Sequence, residues 1–237
     1  MPADCFTLAV SDPLPDLEAI LFDFGGTLDA AGLAWIDRFA AAYAKVGLDV
    51  PLERLREAAG YGTRQAYHSP QVGGFDLRAT VAFHVGCQFA RLNIENPAAS
   101  EAVVDVFVSW AETALADSRA VLERLARGFK LGVVSNFYGN VDRILAAAGI
   151  APLLGAIVDS TVAGVSKPDP RIFTLAVERL ETRPLAALFV GDSLEQDIAP
   201  ARVAGLRTAW LCGGRPAGDG AAADLCLQSL RDLERLL

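Results

Sequence analysis

The stretch ILFDFGGTLD, which runs from Ile20 to Asp29, decides how the rest of this 237-residue chain is interpreted. An apolar run of the kind found in buried strands of parallel sheets ends there at a carboxylate, Asp23. Open sheets of this type bind their ligands just beyond the carboxyl ends of their strands, so we expect Asp23 at the mouth of a crevice. Gly25 and Gly26 permit a tight turn whose backbone amides can approach an anion.

Strands and helices alternate regularly in the second half of the chain. Strand patterns cover 130–135, 156–158, 187–191, 208–211 and, more weakly, 224–227. Helical patterns cover 119–127, 140–148, 170–180, 195–204 and 230–236. Such alternation implies right-handed βαβ units with helices on both faces of a parallel sheet. We therefore predict an α/β fold, a doubly wound parallel sheet that the first strand, at 17–23, must join.

A long stretch without any strand candidate follows Asp29. It contains helical patterns at 32–46, 51–59, 75–92 and 97–115. Because the strands on either side belong to one sheet, this helical block is interpreted as an insertion. The predicted organisation is an N-terminal arm at 1–16, an α/β core domain at 17–31 and 116–237, and an all-helical cap domain at 32–115.

Composition excludes several classes of protein. Hydrophobic residues make up 52% of the chain, which argues against disorder, and a net charge of −8 argues against non-specific binding to nucleic acid or anionic membranes. No apolar run is long enough to cross a bilayer, and the N-terminus lacks the basic segment of a signal peptide. The four cysteines are scattered. We expect a cytoplasmic protein with reduced thiols, as a monomer or homodimer.

Polar side chains follow four of the predicted strands. They are Asp23 with Thr27, Ser135 with Asn136, Lys167 in the loop at 166–168, and Asp192 with Asp197. The ends of parallel strands share one edge of the sheet, so these side chains can converge. Carboxylates, a lysine and hydroxyl or amide donors form a coherent set for phosphate chemistry. The carboxylates can hold Mg²⁺ and one can act as nucleophile, while the donors stabilise the transferring phosphoryl group.

Each member of this set also has a purely structural explanation. Asp192 can cap the helix that follows it, and Asp197 lies in a first helical turn, where a carboxylate is favoured electrostatically. Lys167 can be an ordinary surface lysine, and Ser135 with Asn136 a simple turn. The structural explanations do not predict that all of these residues follow consecutive strands, and that joint placement indicates an active site.

The order of these motifs resembles that of haloacid dehalogenase-superfamily hydrolases with a helical cap inserted after the first strand. The resemblance covers roughly residues 17–230. It implies that Asp23 is the nucleophile that forms an aspartyl-phosphate. It also implies that Ser135 binds the phosphoryl group with Asn136 beside it, and that Lys167 steadies nucleophile and phosphate.

The resemblance further implies a magnesium site. Its ligands would be Asp23, Asp192 and the main-chain carbonyl of Gly25, with Asp197 as a supporting carboxylate. Gly26 and Thr27 would complete the phosphate-binding turn.

The chain departs from the family at Gly25. Family phosphatases read Asp-x-Asp-Gly-Thr, whereas this chain reads DFGGT from Asp23 to Thr27. The second aspartate normally protonates the leaving alkoxide and then activates water. General acid–base help of this kind is worth about 10²–10⁴ in rate. Gly25 keeps a carbonyl for a metal but has no side chain that moves protons.

This departure leaves alternatives open. In one, another group carries the proton, either Asp29 or a cap side chain such as His68 or His84. In another, the chain cleaves the C–P bond of phosphonates, with Lys45, the sole cap lysine, as a Schiff base; dehalogenation is disfavoured because Asp192 and Asp197 preserve a metal motif. In a third, the chain is a catalytically impaired protein of this fold that binds a phosphorylated ligand or a protein partner.

The function predicted from the sequence is Mg²⁺-dependent hydrolysis of a small phosphorylated metabolite through Asp23. The cap is expected to select the substrate and to rotate about linkers at 29–32 and 115–118. A loop at 60–64, between two cap helices, is the predicted specificity loop. Arg64 and His68 are the candidate cap contacts with substrate.

Overall fold

The computed structural model describes residue 14, residues 16–216 and residues 222–237, so the predicted arm at 1–16 lies almost wholly outside it. The described residues form a six-stranded sheet in the order β3-β2-β1-β4-β5-β6, in which every pairing is parallel. The strands are β1 (Ala19–Phe22), β2 (Lys130–Ser135), β3 (Ala156–Asp159), β4 (Ala187–Gly191), β5 (Arg207–Leu211) and β6 (Leu225–Leu227). The predicted doubly wound parallel sheet is confirmed.

Strand β1 is the centre of the sheet because the strand order reverses beside it. Phe22 pairs with Val133 of β2 on one side and with Val190 of β4 on the other, and the amide of Asp23 donates to the carbonyl of Val190 (2.9 Å). All four residues of β1 are buried, which explains the unbroken apolar run. The topological switch point of the fold, where such sheets bind ligands, therefore lies at Asp23.

Helices flank the sheet and form the predicted cap. They are α1 (Trp35–Lys45), α2 (Leu52–Tyr67), α3 (Leu77–Leu92), α4 (Pro97–Leu125), α5 (Val141–Ala147), α6 (Ser160–Ala163), α7 (Arg171–Arg179), α8 (Ala199–Val203) and α9 (Leu233–Leu236). Single turns at Phe24–Leu28 and Leu194–Ile198 follow β1 and β4, and short 3₁₀ turns lie at Pro70–Gly74, Ala151–Leu153, Pro184–Ala186 and Leu230–Asp232. Among the residues described, none of the helices combines the length and apolarity needed to cross a bilayer.

The predicted specificity loop at 60–64 is wrong, because helix α2 continues through it to Tyr67. Gly62 lies on the face of α2 that packs against α3. A Cβ at Gly62 would lie 3.2 Å from Nδ1 of His84 and 3.4 Å from its carbonyl oxygen. The glycine therefore permits close helix packing, a role that the sequence pattern alone does not separate from helix termination.

The predicted break at 115–118 is also wrong, because α4 is one continuous helix from Pro97 to Leu125. Asn96 caps its start by accepting a hydrogen bond from the amide of Ala99 (3.0 Å). Its buried face continues across the expected break at helical spacing, through Ala111, Leu115, Ser118, Leu122 and Leu125. Helix α4 thus crosses the expected boundary between cap and core. There Ser118 Oγ donates to the carbonyl of Leu28 (2.7 Å).

Side chains of β1 alternate between two apolar layers. Ile20 and Phe22 belong to the larger cluster, which also includes Phe39 of α1 and Phe107 of α4. Leu21 belongs to the cluster on the opposite face, with residues of α7. Since one cluster contains both β1 and the cap helices, the cap packs directly on the carboxyl edge of the sheet.

Candidate active site

A cavity of about 300 Å³ opens at the carboxyl ends of β1, β2 and β4, beneath the cap helices. Its core lining comprises Asp23, Gly25, Ser135, Asn136, Phe137, Tyr138, Lys167, Asp192, Ser193, Gln196 and Asp197. Its cap lining comprises Ala34, Trp35, Phe39, Ala59, Thr63 and His84. The switch point of the sheet thus brings together the polar side chains that follow separate strands.

Lys167 is the hub of the polar cluster. Its Nζ lies 2.6 Å from Oδ1 of Asp23 and 2.6 Å from Oδ1 of Asp197, and all three side chains are buried. Burial alone would lower the pKa of Lys167, but attraction to Asp197 and Asp23 outweighs it and raises that pKa above its usual range. Lys167 is therefore charged, and it stays buried because two carboxylates share its charge.

Asp192 adds a third buried carboxylate. Oxygens of Asp23, Asp192 and Asp197 lie within 4.8 Å of one another, and Thr27 Oγ1 lies 3.5 Å from both Asp23 Oδ2 and Asp192 Oδ1. Burial raises the pKa of Asp192 to about 8, and repulsion from Asp23 and Asp197 adds to the rise. Burial likewise raises the pKa of Asp23 to about 7, against the opposing effect of Lys167. One ammonium does not compensate three carboxylates.

The donor set fits a divalent cation. Carboxylate oxygens are the ligands that Mg²⁺ and Ca²⁺ prefer, and the surplus of negative charge is what such an ion neutralises. The backbone also leaves room for the cluster at Gly26, which has a φ of 96°. A Cβ there would lie 2.8 Å from the carboxylate of Asp192. The cluster of Asp23, Asp192 and Asp197 can therefore hold a metal ion.

The loops after β2 and β4 fix the orientation of the cluster. Asn136 donates through Nδ2 to the carbonyl of Lys167 (2.9 Å) and accepts through Oδ1 from its amide (2.8 Å), beside a cis Lys167–Pro168 peptide bond. Asp197 accepts a hydrogen bond from the amide of Ser193 (3.0 Å). The family resemblance implies that Asn136 lies beside the phosphoryl group. In the structure, its side-chain amide holds the backbone of Lys167 in place.

Two positioning residues were missed by the sequence analysis. Arg215 Nη2 donates to the carbonyl of Asp192 (2.6 Å), and Trp210 Nε1 donates to the same oxygen (3.0 Å). The guanidinium of Arg215 also lies 4.9 Å from the ring of Trp210. Neither residue belongs to a recognisable motif, so no local sequence signal could have found them.

The position where family phosphatases carry the second aspartate is covered by Trp35. A Cβ at Gly25 would lie 3.5 Å from Trp35 Nε1, and that nitrogen donates to Asp29 Oδ2 (2.7 Å). Arg38 pairs with the same oxygen (2.8 Å), and the amide of Gly26 donates to Asp29 Oδ1 (2.7 Å). Asp29 is fully buried and anchors the motif to α1, so the alternative in which Asp29 carries the proton has no support.

The structure places the candidate cap contacts outside this cavity. Arg64 is exposed in the last turn of α2 and His68 just after the helix, where its Nδ1 lies 2.7 Å from the carbonyl of Arg64. Lys45 is exposed too, and its Nζ lies 5.2 Å from the ring of Trp110. The phosphonate alternative therefore lacks a Schiff-base lysine from the cap in the cavity.

His84 is the cap histidine that lines the cavity. It is 2% exposed, and its ring lies 5.5 Å from the Trp35 ring and 5.4 Å from the Tyr138 ring. Burial lowers the pKa of His84 to about 4, so its ring is neutral near pH 7. Within the described part of the chain, its Nε2 has no hydrogen-bond partner. The apolar period of α3, through Val81, Val85 and Phe89, places His84 on the buried face and was the available sequence signal.

Comparisons with known proteins find relatives among phosphatases and nucleotidases. The chain is 34% identical to a phosphoserine phosphatase of Thermus thermophilus over 125 residues, which cover 52% of this chain and 48% of that protein. It is 31% identical to the pyrimidine 5′-nucleotidase YjjG of Escherichia coli over 150 residues, 62% of this chain and 66% of that protein. The chain thus spans about half to two thirds of the length of these curated relatives.

The fold is shared with solved structures. That of a dehalogenase superposes with a TM-score of 0.66 at 21% sequence identity, covering 94% of this chain and 98% of that one. The profile of haloacid dehalogenase-like hydrolases matches residues 17–205, which include β1, the cap helices and every residue of the acidic cluster. The chain therefore belongs to the haloacid dehalogenase-like hydrolase family.

Proposed function

We propose that this chain hydrolyses monoesters of phosphoric acid in which the alcohol is a small metabolite, with Asp23 as the nucleophile. The observation that carries the proposal is the position of Lys167, whose Nζ lies 2.6 Å from Asp23 and from Asp197 at the floor of the cavity. A charged lysine at that point favours the ionised form of Asp23. It also provides positive charge where a transferring phosphoryl group develops negative charge.

The other core residues have matching roles. An oxygen of Asp23 attacks phosphorus, the ester oxygen leaves, and water then attacks the phosphorus of the aspartyl-phosphate and regenerates Asp23. Thr27, whose Oγ1 lies 3.5 Å from Asp23 Oδ2, and Ser135, which lines the same cavity, are the proposed hydroxyl donors for the phosphoryl oxygens. Asn136 acts through the backbone of Lys167, which it holds in place.

Mg²⁺ is the proposed cofactor. Asp23, Asp192 and the carbonyl of Gly25 would hold it, with Asp197 in support. When bound, it would neutralise charge between the nucleophile and the phosphate. The uncompensated negative charge of the acidic cluster supports this assignment.

One observation favours a second candidate function: the side chain beside Gly25 is the Trp35 indole, which is not an acid. A site that lacks the usual proton carrier can bind a phosphorylated ligand without turning it over. The two functions predict different rates of hydrolysis but the same binding of phosphorylated ligands, so the rate and the binding must both be measured.

The test is hydrolysis of a panel of phosphomonoesters with Mg²⁺ or with EDTA, for the wild type, Asp23→Asn and the control Asp49→Asn. Asp49 is exposed on the cap. We expect turnover that needs Mg²⁺, drops at least about 10³-fold in Asp23→Asn and is unchanged in the control. A wild type that is inert on every ester, yet is stabilised by Mg²⁺ with inorganic phosphate, would favour the binding function.

A further inference from the structure

We propose that the leaving group of the substrate is aromatic, with the phosphoryl group on a phenol-type oxygen. This inference rests on the proposed phosphohydrolase function and names its substrate class. It is carried by the wall of the cavity, by the charges in its lining and by the residue that covers Gly25.

The wall of the cavity is a contiguous set of ring side chains. Trp35 lies against His84 (5.5 Å between ring centroids) and against Phe137 (6.0 Å). Phe137 contacts Tyr138 (4.9 Å), and Tyr138 contacts His84 (5.4 Å), which closes the set. We name these four residues the ring wall. Three of them bring faces or edges that pack well against another aromatic ring, and the cavity of about 300 Å³ has the size of a small-molecule site.

The charges in the lining exclude leaving groups that carry a negative charge of their own. Among the described residues that line the cavity, Lys167 carries the one fixed positive charge, and two carboxylates already share it. A leaving group with its own carboxylate or second phosphate would therefore meet no free cation. On the cap side, the described lining residues carry no charge near pH 7, His84 included, which suits an uncharged leaving group.

The missing proton carrier points to the same class. Trp35 covers Gly25, and its indole N–H is committed to Asp29. His84 is neutral, so neither side chain supplies a proton to the leaving oxygen. A phenol has a pKa of about 10, as in tyrosine, whereas an unactivated hydroxyl is nearer the value of about 15.7 for water. A phenol-type oxygen can leave as an anion where an alkoxide cannot.

The reaction balances without an acid from the protein. An oxygen of Asp23 forms a bond to phosphorus, the bond from phosphorus to the aryl oxygen breaks, and its electron pair leaves on the aryloxide. The aryloxide takes a proton from solvent. Water then attacks phosphorus, the bond between phosphorus and Asp23 breaks, and the proton lost by that water returns to solvent.

The first experiment compares phenyl phosphate with benzyl phosphate, which carries the same ring on an alkyl oxygen. We expect kcat/KM for phenyl phosphate to exceed that for benzyl phosphate by at least about 10²-fold, the lower end of what a general acid is worth. Ring-substituted phenyl phosphates should react faster as the pKa of the phenol falls. Equal rates for phenyl and benzyl phosphate, with Asp23-dependent turnover, would overturn the inference and leave the proposed function standing.

The second experiment measures binding without turnover. In Asp23→Asn, we expect phenylphosphonate to raise the Tm more than methylphosphonate does. Tyr138→Leu, at a partly exposed position of the ring wall, should abolish that difference and lower the aryl preference in kcat/KM about tenfold. Trp110→Leu, at an aromatic residue that faces Lys45 on the cap, is the control and should change neither.

These two readouts separate the outcomes. If no phosphomonoester is hydrolysed, the proposed function fails, and the Tm difference between the two phosphonates then decides the inference alone. Equal Tm shifts for phenylphosphonate and methylphosphonate would overturn it.

Discussion

At the scale of single residues, the site depends on a glycine and a histidine that are both unusual for their positions. Gly25 has ordinary dihedral angles (φ −78°, ψ 109°), so its presence is not required by the backbone. A Cβ there would make only ordinary contact with Trp35, at 3.5 Å. The absence of a side chain is therefore a chemical feature of the site.

Gly25→Asp is expected to fold and to extend the reaction to alkyl esters. The new carboxylate must share space with the Trp35 indole, so the gain in kcat/KM for benzyl phosphate should lie near the lower end of the range for general acid catalysis, about 10²-fold. Gly25→Ala fills the same Cβ position without an acid and is the matched control. Equal rates for the two variants on benzyl phosphate would show that a proton carrier at this position is irrelevant.

His84 should make the stability of the protein depend on pH. Its folded pKa, about 4, lies below the usual 6.5, so the unfolded chain binds a proton in that interval that the folded protein does not. The wild type therefore loses stability as pH falls from about 6.5 to 4, by at most about 1.4 kcal/mol per pH unit from this group. The free energies of unfolding of the wild type and of His84→Leu, measured in urea, should diverge in that interval. The variant should gain stability relative to the wild type as the pH falls.

His68→Leu is the control for that measurement, because His68 is exposed and the chain contains two histidines. A difference between wild type and His84→Leu that stays constant between pH 7 and 4.5 would contradict the account of His84 as a desolvated neutral ring.

The sequence identified the residues that follow strands, named His84 as one of several candidate proton carriers of the cap, and missed Trp35. Asp23 and Asp192 were predicted because each directly follows a strand, and a strand end fixes where its next side chain lies. Lys167, in the loop beyond β3 and α6, was predicted as part of a loop at the same edge of the sheet. Trp35 and His84 reach the cavity through packing of α1 and α3 over the sheet. The helical period of α3 places His84 on a buried face, but no local pattern shows which cavity that face meets.

At the scale of elements, the pattern of apolar residues predicted the strands well and two cap helices poorly. Buried strands such as β1 and β4 are short apolar runs with clear ends. Helices α2 and α4 were each broken too early, at Gly60 and after Leu115. In α2, a glycine inside the helix serves packing and not termination, and the distinction depends on the partner helix.

Two glycines of the cap helices test this interpretation. Gly62→Ala forces a Cβ to 3.2 Å from His84, so we expect a loss of about 1–3 kcal/mol in the free energy of unfolding. Gly86→Ala, on the exposed face of α3 with open space around it, should gain about 0.5–1 kcal/mol. Chemical unfolding of both variants measures the contrast. Similar changes of either sign would refute close packing of α2 on α3 at Gly62.

At the scale of the whole molecule, cap and core meet through an apolar cluster, through the bonds of Trp35 and Arg38 to Asp29, and through the buried amide of Asn140. Asn140, which precedes α5 of the core, is fully buried. Its Nδ2 donates to the carbonyl of Phe75 (3.0 Å) and to Thr80 Oγ1 (2.9 Å), both in the cap. The division into cap and core domains stays a prediction, and rotation of the cap would have to break these bonds.

Asn140→Ala should therefore weaken the contact between cap and core. Leaving Thr80 Oγ1 buried without this donor, and the partly buried carbonyl of Phe75 with it, costs about 1–3 kcal/mol. Hydrogen exchange should become faster in the segment 70–80 more than in the sheet. Exchange rates that rise equally throughout the molecule, or not at all, would contradict a local role for Asn140.

The central claim is that Asp23 is phosphorylated during turnover. The most direct measurement is mass spectrometry of the protein quenched with acid in a single turnover of phenyl phosphate with Mg²⁺. We predict a transient phosphoryl group on the peptide that contains Asp23, absent in Asp23→Asn and gone when turnover is complete. Hydrolysis with no phosphoryl group on that peptide at any time, or hydrolysis that persists in Asp23→Asn, would contradict the account.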